Sequence, residues 1–468
     1  MKLERWLIVG KKMKRLNNLY DNMISYSNIL FVFNKVKSKC HNKNKIMDFI
    51  RYKNCYLIDI LEKLKSREYK FSNYHIFLIH EKKYRIIMSE SIYDKIVNQM
   101  ISYFILLPSF KCLIDENIAT RKNRGSSYGY KLFEKYVNNI INNKDIFVLR
   151  IDIKKYFYNI NHDILLSMLE RRIKDIDAIN ILKNIISLTD YSYINKSIKN
   201  LIDNEIKRVN NLNISDNEKN KLINELNNIP LYRKGYGLSI GCLSNQLMAI
   251  FYLNDLDHYI KEELGCEYYI RYMDDMYLIS SDRKYLEKCF INIKNRLNNI
   301  ELDINNKSGI YRLKEGVSFL GYTYNVKNNR LFIRYDNNTI KRINRKINKL
   351  YNSDFNYYYR SICSYKGYFI RCNTMLFYDR YINLCIYNRY DKYLLLKNKY
   401  NDYIIFIKDR YRYYTYDNDL NYIDNLFKMK YKWLKYNDLL FVNYKYLILD
   451  GNNIYMNGGK TWKIIRKL

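Results

Sequence analysis

Residues 267–280 read EYYIRYMDDMYLIS, so two adjacent acids lie between two apolar, aromatic runs. The runs YYI and MYLI predict two strands, and Tyr272-Met-Asp-Asp275 predicts the turn that joins them. Acids at a hairpin turn can project together beyond the strand ends, whereas neighbours inside a regular strand point to opposite faces. Carboxylates so close repel each other unless a cation lies between them. The alternative is an ordinary polar turn.

A second acid ends another apolar strand. Residues 146–153 read IFVLRIDI, and strand alternation places Leu149 and Ile151 on one face and Asp152 on the other. A carboxylate in such a strand costs free energy unless it is paired, solvated at the strand end or bound to a metal. Together with Asp274 and Asp275 it predicts a carboxylate cluster at one end of an antiparallel sheet. Such a cluster suits two Mg²⁺ ions that clamp the attacking and leaving oxygens of a phosphoryl transfer.

A glycine-bearing loop precedes a predicted helix at residues 237–246, GLSIGCLSNQ. Glycine lets a backbone approach a ligand closely, and a helix start offers free N–H groups to a phosphate or a base. By itself this is a common loop.

Composition favours a polyanionic partner. Lys and Arg total 81 against 47 Asp and Glu in 468 residues, a formal charge of +34. The 52 Tyr and the many Lys, Asn and Ile also fit the codon bias of an AT-rich genome, which does not explain the deficit of acids. The nine cysteines form no C-x-x-C pair, which argues against a zinc site and predicts reduced thiols in a cytoplasmic protein. The longest apolar stretch, Met100–Leu107, is too short to span a membrane.

Several segments, in order, resemble prokaryotic reverse transcriptases. RIDIKKYFYNINHDIL is similar to the strand with the first catalytic Asp, GLSIGCLSNQLMAIFYLNDLD to the templating helix, and YIRYMDDMYLI to the Y-x-D-D hairpin. NKSGIYRLKEGVSFLGYTY is similar to the later lysine segment and primer grip, and SIYDKIVNQMI and ENIATRKNRGSSYGYKLF look like fingers. The likeness covers residues 75–325.

The resemblance implies an α+β fold of the right-hand polymerase type, with an antiparallel palm sheet and a helical thumb. The implied domains are an N-terminal helical extension (1–44), fingers (45–145), a palm (146–325) with an insertion near 190–230, a thumb (326–400) and a basic, Tyr-rich C-terminal domain (401–468). That last domain is either a stacking platform for nucleic acid or a product of codon bias.

The same resemblance assigns roles to single residues. Asp152, Asp274, Asp275 and the backbone of Ile153 would hold two Mg²⁺ ions, with Mn²⁺ as an alternative, and Lys307 would protonate pyrophosphate. The nucleotide contacts it implies are the steric gate Phe157, the triphosphate-gripping Arg121 and Lys122, and the loop residues Ile240, Gly241 and Gln246. The implied primer grip is Phe319, Leu320, Gly321 and Tyr322. The alternatives are a core aromatic for Phe157, a solvated basic loop for Arg121 and Lys122, and a core strand for the primer grip.

One departure from the common pattern is informative. Many reverse transcriptases carry Gln where this chain has Ile240, and an aliphatic side chain cannot make the amide's hydrogen bond near the incoming nucleotide. The form I-G-x-x-x-x-Q resembles diversity-generating retroelement and defence-associated reverse transcriptases. In the former, relaxed fidelity opposite template adenines is the family trait.

We therefore expect an RNA-directed DNA polymerase of a retroelement or anti-phage defence system. Its expected partners are an RNA template, an RNA–DNA hybrid, dNTPs, a cognate non-coding RNA and an accessory protein, with no membrane. Untemplated or protein-primed DNA synthesis by the same palm, and a non-catalytic RNA-binding or maturase-like scaffold, are the alternatives.

Overall fold

In a computed structural model the chain divides into two units, Met1–Glu315 and Gly316–Leu468. The structure describes residues 15–40, 43–81, 83–143, 145–335, 337–351, 360–361, 363–365, 371–372, 389–409, 412–427, 434, 439, 442, 444–450, 453–458 and 461–467.

The central sheet of the first unit carries both acid-bearing strands. Its strands are β3 (Phe147–Asp152), β4 (Tyr268–Tyr272), β5 (Asp275–Ser280) and β6 (Gly309–Arg312), in the order β4-β5-β3-β6. All neighbours are antiparallel. The predicted strands and their hairpin are therefore confirmed, whereas β6 was not predicted separately.

One face of this sheet is the core of the unit. Leu149 and Ile151 of β3 lie in one buried cluster with Leu278 of β5 and with Leu286 and Ile293 of the helix Arg283–Asn299. That helix repeats apolar residues at helical spacing, and this apolar stripe is the side that it buries against the sheet. Because β3 alternates, burying Leu149 and Ile151 turns Arg150 and Asp152 to the opposite face.

Helices surround the sheet. Those before β3 are α1 (Leu19–Met23), α2 (Tyr26–Lys39), α3 (Lys43–Arg51), α4 (Lys53–Lys65), α5 (Ile92–Ile101), α6 (Leu107–Ser109) and α7 (Ser126–Asn139). Those after it are α8 (Tyr156–Asn159), α9 (His162–Glu170), α10 (Ile176–Ile186), α11 (Ser192–Asn210), α12 (Asp216–Asn227), α13 (Leu243–Tyr252), α14 (Asn254–His258) and α15 (Arg283–Asn299). One π-helical turn, Ser102–Leu106, follows α5, and another, Tyr259–Glu263, follows α14.

The polar stretch near 190–230 folds into the helices α11 and α12. They lie against the hairpin of β1 (His75–His80) and β2 (Tyr84–Ser89). Ile194 and Ile198 join one buried cluster with Ile86 of β2, and Val209 and Leu226 form another with Tyr84. A few apolar residues at helical spacing are enough to fix both helices.

The second unit contains two sheets. The first is β7 (Val317–Phe319), β8 (Tyr322–Lys327) and β9 (Arg330–Tyr335), and α16 (Asn337–Tyr351) follows it. The second has the order β11-β10-β12-β13-β14, with the strands β10 (Ile404–Asp409), β11 (Arg412–Tyr414), β12 (Tyr446–Asp450), β13 (Asn453–Gly458) and β14 (Thr461–Lys467). Helices at 389–399 and Asp417–Phe427 accompany that sheet. Much of the predicted thumb, 326–400, lies outside the described residues.

Among the described helices, none combines the length and the apolar character that crossing a membrane requires.

Candidate active site

Three acids lie at one end of the central sheet. Asp152, the last residue of β3, lies directly opposite Asp275, the first residue of β5. Tyr272 pairs with Asp275 across β4 and β5, so Met273 and Asp274 form a two-residue turn between them. Met273 has a φ of 56°, the left-handed region that hairpin turns of this length need and that costs a non-glycine residue free energy. The turn therefore carries strain beside the acids.

The electrostatics of this sheet end fit a bound cation. Burial, and then the neighbouring charges of Asp275 and Asp152, raise the pKa of Asp274 to about 6. Burial also raises the pKa of Asp275, with Asp152 adding to the rise and Arg150 opposing it. A divalent cation would remove this cost of gathering negative charge.

The donor set also fits magnesium rather than zinc. Among the described residues, no group of three or more His, Cys, Asp or Glu side chains is already arranged to hold a metal ion, and this includes the three acids at this sheet end. Magnesium is usually held by one or two carboxylates and completed by water and substrate phosphates. The acids present supply such oxygen ligands.

The segment 303–308 holds the first acid in place, which the sequence did not predict. The Asn305 side-chain amide donates to the Asp152 carboxylate at 3.1 Å, and the Asn305 backbone N–H donates to the Asp152 carbonyl at 2.8 Å. The Ser308 hydroxyl lies 2.9 Å from the Asp152 backbone nitrogen, which donates to it. Lys307 lies in the same segment, two residues after Asn305, and its side chain is exposed.

Arg150 is a second partner that sequence reasoning missed. Its guanidinium lies 3.4 Å from the Asp275 carboxylate, and both side chains are about one-third exposed. Arg150 precedes Asp152 by two residues in β3, so strand alternation puts both on one face. The two-residue spacing in the sequence could therefore have predicted that Arg150 lies on the same face as the acids.

The glycine-bearing loop packs between α8 and β2. The Leu238 N–H donates to the Phe157 carbonyl at 2.7 Å, and the Met88 N–H donates to the Ile240 carbonyl at 2.9 Å. A Cβ at Gly241 would overlap the Met88 carbonyl, so the close approach to β2 needs glycine there. The side chains of Phe157, Ile240 and Gln246 are partly exposed and remain predicted nucleotide contacts.

Arg121 and Lys122 differ in what they contact. The Arg121 guanidinium donates to the carbonyls of Ile114 and Asn117, so it braces its own loop. Burial lowers the Arg121 pKa. Lys122 is exposed. Both residues remain predicted triphosphate contacts, and the Lys122 side chain is the more exposed of the two.

The predicted primer grip lies in the second unit. Phe319 and Tyr322 are buried there, and Tyr322 stacks on Tyr335 with ring centroids 5.0 Å apart. Leu320 and Gly321 form the turn between β7 and β8, with φ of 45° and 90°. Of these four residues, only Leu320 and Gly321 in the turn have solvent-accessible surface above the buried level.

Residues 72–324 match the family described as reverse transcriptase (RNA-dependent DNA polymerase). That span is more than half of the chain and contains the three acids, the glycine-bearing loop and the segment 303–308. The chain belongs to the reverse transcriptase family. It is an RNA-dependent DNA polymerase, an enzyme class that uses a nucleic-acid template, dNTPs and generally a divalent metal. A search of curated proteins found no match to this reverse transcriptase.

Proposed function

We propose that this reverse transcriptase extends a primer 3′-OH with dNTPs on an RNA template, by a two-metal mechanism at Asp152, Asp274 and Asp275. The single observation that carries the proposal is the register of β3 and β5, which sets Asp152 opposite Asp275 beside the turn that bears Asp274. In the reaction the primer 3′ oxygen bonds to the α-phosphorus of the dNTP, and the bond to pyrophosphate breaks.

The chain's own residues orient the acids for this chemistry. Asn305 fixes one oxygen of Asp152, and Arg150 fixes one oxygen of Asp275, which leaves the remaining oxygens for ligands. Divalent ions held there would neutralise the charge that develops on the transferred phosphoryl group. Lys307, in the segment that contacts Asp152, would give a proton to the leaving pyrophosphate, and Phe157 would exclude a ribose 2′-OH.

We extend the proposal to the domain boundaries of the enzyme and to the biological system in which it acts. We assign fingers to 45–145, a palm to 146–325, a thumb to 326–400 and a C-terminal nucleic-acid-binding domain to 401–468. We assign the enzyme to the diversity-generating or defence-associated reverse transcriptases of a retroelement or anti-phage system, acting with a cognate RNA and an accessory protein. Support for the second assignment is the I-G-x-x-x-x-Q form at Ile240–Gln246.

The test is Asp274→Asn, assayed for Mg²⁺-dependent dNTP incorporation on an RNA template. Removing one electrostatic group of this kind typically costs about 10²–10³-fold in rate, and we expect a loss of at least ~10²-fold. Because burial and neighbouring acids disfavour the Asp274 charge, the neutral variant should melt no lower than wild type in EDTA. Asp59→Asn, at an exposed helix pair with Lys63, is the matched control and should keep full activity.

Asp274→Asn activity equal to that of Asp59→Asn would contradict the metal site. Equal product lengths with and without added template would contradict templated synthesis and favour the untemplated alternative.

A further inference from the structure

Arg271 of β4 is fully buried and forms a fully buried ion pair with Asp257. Neither the Arg271 nor the Asp257 side chain has exposed surface. Arg271 Nε lies 2.7 Å from Asp257 Oδ1 and its Nη2 lies 2.5 Å from Asp257 Oδ2, a two-pronged contact that suits a guanidinium and a carboxylate. Asp257 belongs to α14, so the pair joins the sheet to a helix.

The guanidinium also holds the strained turn. Arg271 Nη1 donates to the Met273 carbonyl at 2.8 Å, and Nη2 donates to the Ile250 carbonyl of α13 at 2.9 Å. The Met273 carbonyl belongs to the peptide that leads into Asp274. Fixing that carbonyl therefore fixes the peptide plane from which the Asp274 side chain starts.

The Arg271 backbone holds the basic loop at the same point. Its N–H donates to the Glu116 carbonyl at 3.0 Å, and the Ile118 N–H donates to the Arg271 carbonyl at 3.0 Å. The Gly125 N–H closes the loop on Ile118 at 2.7 Å. The loop that carries Arg121 and Lys122 is thereby anchored to the residue that supports the turn.

Stability alone does not account for this arrangement. Replacing a buried ion pair by well-packed apolar residues is often neutral or stabilising, because taking two charges out of water is costly. An apolar pair would nevertheless leave the carbonyls of Met273 and Ile250 without these donors. The charged pair is therefore explained by the backbone groups that it orients.

We propose that Arg271, held by Asp257, is a positioning residue that sets the turn bearing Asp274 and the loop 116–125 in one fixed relation. This inference rests on the proposed function, in which Asp274 binds metal. If this is so, loss of the planar guanidinium should reduce the apparent affinity for Mg²⁺ and the rate of the chemical step. The affinity for the nucleotide should change less.

The experiment compares Arg271→Lys with Tyr269→Phe in the full chain. A lysine keeps the charge but has no planar fork, so it cannot serve Asp257 and both carbonyls together. Tyr269→Phe removes a hydroxyl that donates to the same Asp257 oxygen at 2.7 Å and leaves the contacts from Arg271 to the turn intact. Active enzyme is counted by burst titration, and kcat, KM for dNTP, the Mg²⁺ concentration for half activity and Tm are then measured.

We expect Arg271→Lys to lower kcat per active site by about 10–10²-fold, the cost of a small misplacement of reacting groups. The Mg²⁺ concentration for half activity should rise several-fold, with a smaller change in KM. Tyr269→Phe should lower Tm and leave kcat and the Mg²⁺ dependence unchanged.

A kcat and Mg²⁺ dependence in Arg271→Lys that match those of Tyr269→Phe would overturn the proposal, since the pair would then serve stability only. If Arg271→Lys does not fold, Asp257→Asn replaces it, because Asn keeps the shape and one acceptor; the same shift in Mg²⁺ dependence is expected, and its absence overturns the proposal. Failure of the proposed function is a separate result, because it would appear as an active Asp274→Asn enzyme.

Discussion

At the scale of one residue, the backbone of Ile240 attaches its loop to β2, whereas its side chain is free of that contact. Its carbonyl accepts from Met88 and ties the loop to β2, a contact that any side chain allows. Its aliphatic side chain is partly exposed and offers no hydrogen bond. The side chain at this position can therefore be exchanged without removing the backbone hydrogen bond that attaches the loop.

We expect Ile240→Gln to raise fidelity, because the amide adds a hydrogen-bonding group where the aliphatic side chain supplies only packing. Discrimination from one well-placed hydrogen-bonding group exceeds what one apolar contact supplies. Sequencing of gap-filling products on RNA should show fewer errors, chiefly opposite template adenines. Ile240→Leu is the matched control. An error spectrum identical in both variants would contradict the assignment to the diversity-generating subtype.

At the scale of elements, a hydrogen-bonded chain joins the end of β2 to α5 and α13. The Ser244 hydroxyl donates to the Asn98 side-chain oxygen Oδ1 at 2.7 Å, and the Asn98 side-chain amide nitrogen donates to the Glu90 carboxylate. Burial raises the pKa of Glu90 to about 7, and Asp94 adds to the rise, while contacts with Cys242, Lys95 and Asn98 oppose it. Protonation of one carboxyl thus bears on how three elements pack.

The sign of the resulting pH dependence follows from linkage. Between pH 4.5 and about 7 the folded chain keeps a proton on Glu90 that the unfolded chain releases, so this contribution to stability is full at the acid end and is lost as pH rises. We expect the contribution to fall by about 1–3 kcal/mol across that range. In denaturant titrations, the loss of stability across this range should be smaller by this amount in Glu90→Gln, whereas Glu81→Gln, in the exposed turn between β1 and β2, should show the full wild-type loss. A decrease of equal size in Glu90→Gln and wild type would contradict the prediction.

The elements differ in how far their sequence predicts them. β4 and β5 were predicted because each is a short continuous apolar run of strand length, with the turn acids between them. The contact of Asn305 with Asp152 was not, because the two residues are 153 positions apart and only the folded sheet joins them. Helices α11 and α12 were not predicted either, since their polar composition hides the few apolar residues that meet β1 and β2.

At the scale of the whole molecule, part of the surplus positive charge lies on one exposed face of helix α16. Helix α16 buries Ile343 and Ile347 and exposes Lys341, Arg342, Arg345 and Lys346 on its other face. A basic face of this kind binds phosphates without reading sequence. With a net charge of +34, the enzyme has cations enough to neutralise many phosphates of a hybrid.

Binding of an RNA–DNA hybrid should therefore depend steeply on salt. If the enzyme makes six to ten phosphate contacts, raising the salt concentration from about 50 to 200 mM should lower its affinity by roughly 10³–10⁵-fold. The reason is that each contact releases condensed counterions on binding. The variant Arg345→Ala/Lys346→Ala should reduce the slope of log affinity against log salt by about 2, one for each lost contact. Lys37→Ala/Lys39→Ala on α2 removes the same net charge from exposed positions and should leave the slope unchanged. Equal slopes for both variants in fluorescence anisotropy titrations would show that α16 does not contact the phosphates and that net charge alone acts.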